Sequence, residues 1–203
     1  QWTKIGDEWY YVKNGELPNG ITTVDGTTYY FFNGRMAADE LIYANYYDED
    51  EMRWVDCRYY AKPDGVLAKN LWFEYDGYWR YAGDDYSVYN NGLTKIGPYY
   101  YYFYNWYAAA QNEVIETDDG VYIIGDNCRA TKANGWFKHP VSKEWMYVKG
   151  NEFYTDGIYT IDGVKYAFDW EGVMITDAIK YFDGYYYLIN SNGEVVTTYG
   201  WQK

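Results

Sequence analysis

The sequence predicts an all-β fold, a β-solenoid of stacked short β-hairpin repeats of about 20 residues each. Three observations carry this. Aromatic residues make up 24% of the 203-residue chain, with 30 Tyr, 10 Trp and 8 Phe. They gather in short clusters that return at a nearly constant interval. Asp-Gly and Asn-Gly pairs separate the clusters, as tight turns between strands require.

The interval can be read directly. The central residue of each cluster falls at Tyr10, Tyr29, Tyr59, Trp79, Tyr100, Tyr122, Met146, Tyr166 and Tyr186. Successive steps lie between 19 and 24 residues, apart from one of 30. Residues 1–203 therefore read as a single array of about nine degenerate repeats. Turns such as Val24-Asp25-Gly26-Thr27, Tyr75-Asp76-Gly77-Tyr78, Ile161-Asp162-Gly163-Val164 and Phe182-Asp183-Gly184-Tyr185 suit a two-residue hairpin. Asp and Gly tolerate the positive φ angles of a type I′ turn. A second turn follows each aromatic strand, as at Lys13-Asn14-Gly15 and Ser191-Asn192-Gly193, so each unit is a hairpin plus a loop.

A lone hairpin is marginal in water, and stacked hairpins share a core. Alternate side chains of Trp9-Tyr10-Tyr11-Val12 should face opposite ways, one set building the core and the other lining grooves. The long step predicts a lengthened or inserted hairpin near residues 41–51, with an acidic tip at Asp48-Glu49-Asp50-Glu51. A wider turn is expected over Lys138–Glu144. The most helix-like stretch, Trp106 to Gln111, is too short to stand alone.

The net charge of −13 excludes phosphate-grasping partners, so nucleic acid is not expected. Nor is a general grip on anionic lipid. A ligand should be neutral, cationic or held by stacking. No apolar run is long enough for membrane insertion. Cys57 and Cys128 lie more than three repeats apart and read as free thiols, because a disulfide needs Cα atoms within about 7 Å. Both Gln1-Trp2-Thr3-Lys4 and Gly200-Trp201-Gln202-Lys203 read as parts of a repeat. A segment excised from a longer protein with other domains is the expectation.

No catalytic chemistry stands out. His139, the one histidine, sits before Pro140 without visible partners for metal or proton transfer. The run Asp48–Glu51 lacks the spaced ligands and glycine of a calcium loop. Asp84-Asp85 and Asp118-Asp119-Gly120 read as turn chemistry. Phosphate loops, nucleophile elbows and zinc signatures are absent from the sequence. The chain is expected to be no enzyme and to need no cofactor.

The repeat resembles the cell-wall-binding, or choline-binding, repeat superfamily, with its glucan-binding and clostridial-toxin relatives. Trp2 through Trp9-Tyr10-Tyr11 and Gly135-Trp136 through Trp145-Met146-Tyr147-Val148 carry the likeness most fully. Gly20-Ile21 through Tyr29-Tyr30-Phe31 and Gly157-Ile158 through Asp162-Gly163 look like the glucan and toxin variants. The resemblance implies a stack of hairpins with ligand clefts between consecutive repeats. It also implies secretion to the cell surface or cell wall of a Gram-positive organism.

Carried onto this sequence, the family's aromatic cage gives three ligand-binding sets. One is Trp2, Trp9 and Tyr29. A second is Trp136, Trp145 and Tyr166. The third is Trp72 with Tyr78 or Trp79 and Tyr100 or Tyr101. Elsewhere the opening tryptophan is replaced by Ile21, Leu93, Val114, Ile158 or Ile179, a departure from the family pattern.

The expected partner is a cell-wall polymer or other glycan, with choline a candidate head group. The alternative is a structural stalk, or a protein-interaction or receptor-binding array with no small-ligand site. Exposure decides between them: cage rings lining open grooves favour binding, and rings fully buried favour the stalk.

Overall fold

A computed structural model describes residues 1–50 and 52–196. Glu51 and the closing Gly200-Trp201-Gln202-Lys203 lie outside the described residues. Every regular element among the described residues is a strand. The strands are β1 (Trp2–Ile5), β2 (Glu8–Tyr11), β3 (Gly20–Val24), β4 (Thr27–Phe32), β5 (Arg35–Met36), β6 (Glu40–Asp48), β7 (Arg53–Ala61) and β8 (Leu71–Tyr75). Then come β9 (Tyr78–Ala82), β10 (Gly92–Ile96), β11 (Tyr99–Phe103), β12 (Glu113–Thr117), β13 (Gly120–Ile124), β14 (Arg129–Lys132) and β15 (Gly135–Lys138). The last are β16 (Trp145–Lys149), β17 (Glu152–Phe153), β18 (Gly157–Ile161), β19 (Val164–Phe168), β20 (Ala178–Phe182), β21 (Tyr185–Ile189) and β22 (Val195–Val196).

Among the described residues nine antiparallel hairpins result: β1–β2, β3–β4, β6–β7, β8–β9, β10–β11, β12–β13, β15–β16, β18–β19 and β20–β21. The turn chemistry has the expected cause. At Asp25-Gly26, Asp76-Gly77, Asp162-Gly163 and Asp183-Gly184 both central residues have positive φ, as a type I′ turn demands. Gly6-Asp7 differs, since only Gly6 is left-handed. The long repeat interval is a lengthened hairpin, with β6 and β7 nine residues each. The wide turn between β15 and β16 is built around His139, whose Nδ1 accepts the N–H of Val141 and of Ser142 at 3.2 Å each. The helix-like stretch at Trp106 is a tight turn instead, closed by Tyr107 N–H to Tyr104 O at 2.8 Å.

The chain divides into two compact units, one of Gln1–Thr94 with Phe103–Ala109, the other of Lys95–Tyr102 with the chain from Ala110 onward. The division runs through the hairpin of β10 and β11.

Within each unit the loop after a hairpin ties it to the hairpin before. In the first unit, β5 pairs with its own β4 and, through Arg35, with Tyr10 of β2. Leu67 N–H donates to Thr28 O, Val88 to Arg58 O and Ala109 to Trp79 O, each at 2.8 to 2.9 Å. In the second unit β14 pairs with its own β13 and with β11, and Met174 N–H donates to Trp145 O at 2.8 Å. Hairpins that would be marginal alone thus share backbone bonds with the neighbour before them in the chain.

The cores are small and local. The first unit buries Leu41, Tyr60, Phe73, Val88 and Tyr107 together, with Tyr60 and Phe73 stacked at 4.2 Å. A second cluster holds Ala37, Ile42, Ala61 and Leu67. In the second unit Val121, Ala133 and Val148 form one cluster, and Ala167, Ile189 and Val195 another. Phe31, Phe103 and Phe168 are sealed from solvent. Cys57 and Cys128 are buried free thiols.

Candidate functional site: aromatic clusters on successive hairpins

Register decides which rings meet. Trp2 pairs with Tyr11 across the first hairpin, and Lys4 pairs with Trp9. Trp2, Trp9 and Tyr11 therefore share one face, while Tyr10 lies on the other. The same frame recurs at Trp136↔Tyr147 with Lys138↔Trp145, and at Trp72↔Tyr81 with Glu74↔Trp79. Trp79, not Tyr78, is thus the counterpart of Trp9 and Trp145.

Each time the opening tryptophan meets the tyrosine across its own hairpin and a buried phenylalanine. Trp2 lies 5.0 Å from Tyr11, 5.2 Å from Tyr29 and 5.8 Å from Phe31. Trp136 lies 5.0 Å from Tyr147, 4.9 Å from Tyr166 and 5.8 Å from Phe168. Trp72 lies 5.2 Å from Tyr81 and 5.7 Å from Phe103. Edge-to-face geometries dominate around Trp136, the arrangement that ring quadrupoles favour. The buried phenylalanine forms a floor and the half-buried tryptophan stands on it, and at Trp2 and Trp136 a tyrosine closes each side.

Two of the three sequence-predicted sets are brought together. Trp136, Trp145 and Tyr166 assemble, with Trp145 6.3 Å from Trp136. Trp2 and Tyr29 are in contact, and Trp9 lies two residues from Tyr11 on the same face. Trp9 and Trp145 are each 44% exposed, and neither Trp2 nor Trp136 is fully buried. These rings line open surface and are not sealed as core. In the third set Trp72 is half-buried, Trp79 is 40% exposed, and Tyr101, which belongs to the second unit, is 8% exposed. Tyr101 stands two residues before Phe103, as Tyr29 does before Phe31 and Tyr166 before Phe168.

Sequence reasoning missed the ring partners Tyr11, Tyr81 and Tyr147 and the floor residues Phe31, Phe103 and Phe168. The signal was available in the two-residue alternation that places them on the tryptophan's face. It also missed a charge inside the cleft, because the Lys138 ammonium sits 4.9 Å from the ring centre of Trp145. That contact is a cation–π pair made by the protein with itself.

Among the described residues no group of three His, Cys, Asp or Glu side chains could hold a metal ion. Asp48 Oδ1 accepts the N–H of Asp50 at 3.0 Å, and Asp85 accepts both the N–H and the hydroxyl of Ser87. These carboxylates order their own turns.

No family model matches the chain. Over 181 residues, 88% of the chain, it is 28% identical to Glucosyltransferase-I of Streptococcus downei, and it spans 11% of that protein. Its fold is similar to that of CbpJ from Streptococcus pneumoniae TIGR4, with 20% identity, a TM-score of 0.59, and coverage of 93% of this chain and 62% of that one. It is also similar to the choline-binding domain of CbpL from Streptococcus pneumoniae, with 23% identity, a TM-score of 0.50 and 98% of each chain covered. The chain therefore has the hairpin-repeat fold of the choline-binding proteins, and its sequence is similar to a streptococcal glucosyltransferase, as its repeat motifs imply.

Proposed function

We propose that the chain is a non-catalytic module that attaches a longer parent protein to a cell-wall polymer or other glycan, on the outside of a Gram-positive cell. Its hairpins form one solenoid array, and the aromatic clefts between successive repeats bind the polymer. The observation that carries this reading is the exposure of Trp9 and Trp145 beside clusters whose other rings are half-buried or sealed. A purely structural stack has no need to leave the outermost indole open, and exposed aromatic patches usually mark binding. Weak single sites would add through avidity along the array.

The ligand named for CbpL is choline, and the enzyme matched in sequence is a glucosyltransferase, so choline and α-glucans are the first candidates. Lys138 tilts the Trp136 cleft toward a neutral sugar, because an ammonium already stands near the ring that a choline head group would seek. Titration of the chain and of its Trp145→Ala variant with choline and with a soluble α-glucan tests the reading. Binding that Trp145→Ala weakens at least about tenfold supports it. Flat titrations with both ligands overturn it.

A second reading, a stalk or protein-interaction array, is favoured by the replacement of the opening tryptophan by Ile21, Leu93, Val114, Ile158 and Ile179. On that reading Trp145→Ala leaves attachment to cell walls unchanged.

A further inference from the structure

The lengthened hairpin β6–β7 projects beyond the cluster that holds its base. Leu41 and Tyr60 pair at that base and are buried. Toward the tip the same face carries the pairs Tyr43↔Arg58, Asn45↔Asp56 and Tyr47↔Trp54. Beyond the base the aromatic rings of this face are open: Tyr43 is 68% exposed, Trp54 67% and Tyr47 49%.

A groove of about 1000 Å³ runs beside them. Its other wall is made by the loops after β9 and β11, through Asn90, Asn91 and Asn105. Four side-chain amides, those three and Asn45, line the groove, and none has a protein hydrogen-bond partner among the described residues. The groove's charges balance, with Arg53 and Arg58 set against Asp56 and Asp85. Asp85 is held by Ser87, and Arg58 is committed as well. The Arg58 guanidinium lies between two rings, 4.3 Å from the centre of Tyr43 and 4.2 Å from that of Tyr107, and its Nη1 donates to Trp106 O at 3.3 Å. Tyr107 in turn donates its hydroxyl to Asp56 O at 3.0 Å, fixing the hairpin to the loop. The wall is braced before any ligand arrives, which lowers the ordering cost of binding.

Open aromatic faces beside unpaired amides, with no net charge, match one ligand chemistry. The apolar face of a pyranose ring stacks on an aromatic ring, and its hydroxyls exchange hydrogen bonds with amides and carboxylates. A polyanion would meet a chain of net charge −13. A nonpolar peptide or lipid would leave the four amides unpaired at a cost.

We infer that this groove is a binding site for a neutral hexopyranose oligosaccharide, with Trp54 and Tyr43 as the stacking platform and the four asparagines as the polar wall. It shares no residue with the aromatic clefts proposed above.

The test follows the indole N–H resonances of the full chain during titration with maltoheptaose, with isomaltoheptaose and with choline. The Trp54→Ala spectrum assigns the Trp54 signal, and its exposed position makes loss of the fold unexpected. The site predicts that the Trp54 resonance moves with one of the two oligosaccharides and not with choline. It predicts that Asn91→Ala weakens that movement at least about fivefold, and that the double variant Trp136→Ala, Trp145→Ala leaves it intact. A Trp54 resonance that neither sugar moves overturns the inference, as does one that only choline moves. Movement at Trp145 without movement at Trp54 sinks this groove and spares the clefts. The reverse pattern spares the groove and sinks the clefts.

Discussion

Lys138 shows how one side chain sets the character of a cleft. It lies opposite Trp145 in the hairpin register, and its ammonium stands 4.9 Å from that ring's centre. The first hairpin pairs Lys4 with Trp9 in the same way, while the third cluster pairs Glu74 with Trp79. A resident cation repels a quaternary ammonium and occupies the ring face that would attract it. An exposed cation–π contact is worth about 0.5–1 kcal/mol, a factor of roughly two to five in affinity. Lys138→Ala is therefore expected to strengthen choline binding by about that factor and to leave neutral-sugar binding unchanged. Chemical-shift titration with choline measures it, and an unchanged or weaker choline affinity would remove Lys138 from the account of specificity.

At the scale of the element, the loop after each hairpin must turn through a left-handed residue. That position is Gly65, Gly172 and Gly193 in three repeats, but Tyr86, Tyr107 and Cys128 in three others. A bulky residue there costs about 1–2 kcal/mol of backbone strain. The exchange follows from packing. A Cβ on Gly65 would stand 2.4 Å from Met36, one on Gly172 2.1 Å from Phe153, and one on Gly193 2.5 Å from Met174. A large side chain from the preceding loop already fills each of those spaces. Where the preceding loop offers the smaller Val88, the left-handed residue supplies the bulk itself, and Tyr107 is buried in the same cluster. Tyr86 likewise packs beside Leu67 and reaches the Thr28 hydroxyl at 3.1 Å. Gly163 and Gly172 separate backbone from packing, since both have φ near +80° but a Cβ on Gly163 meets nothing within 4 Å. Gly163→Ala should cost about 1 kcal/mol, and Gly172→Ala about 2–4 kcal/mol, because the Phe153 ring must also give way. Urea unfolding of the two variants checks the order, and equal losses would show that packing at Gly172 is slack.

Across the whole molecule, what could be read in the sequence is what repeats along it. The interval from Tyr10 to Tyr186 located every hairpin among the described residues, and the Asp76-Gly77 turn set the register that puts Trp72 beside Tyr81, while Trp2 and Trp136 reach their tyrosines across the Gly6-Asp7 turn and the wide turn around His139. What could not be read depends on contacts between one hairpin and the next, about thirty to forty residues apart. The loop bonds from Leu67 to Thr28 and Val88 to Arg58, and the floor beneath each tryptophan, come from hairpin packing and leave no local pattern. Tyr107 goes against its backbone preference, so its role was invisible to propensity. The groove beside Trp54 joins one hairpin to two loops, and neither loop carries a motif.

The same packing gives a molecule so rich in tyrosine a specific weakness toward alkali. Burial raises the pKa of Tyr30, Tyr59, Tyr60, Tyr89 and Tyr107 above the ordinary value near 10.0. The hydrogen bond to Asp119, with burial, pushes Tyr122 up to about 12. Burial lifts the Cys57 thiol, and burial with Asp126 lifts Cys128 to about 11, from an ordinary 9.0. In every case the folded protein keeps a proton that the unfolded chain has lost between the two values, so unfolding releases protons in that window. The contribution is fully present below pH 9.0 and is lost as pH climbs through the folded values, the cysteines first and the tyrosines from about 10 upward. The urea midpoint should hold steady from about pH 7 to 8.5 and then fall with increasing slope toward pH 11. A midpoint still level at pH 11 would mean that these phenols and thiols are no better shielded in the folded chain than in the unfolded one, which the sealed clusters around Tyr60, Tyr107 and Tyr122 do not allow.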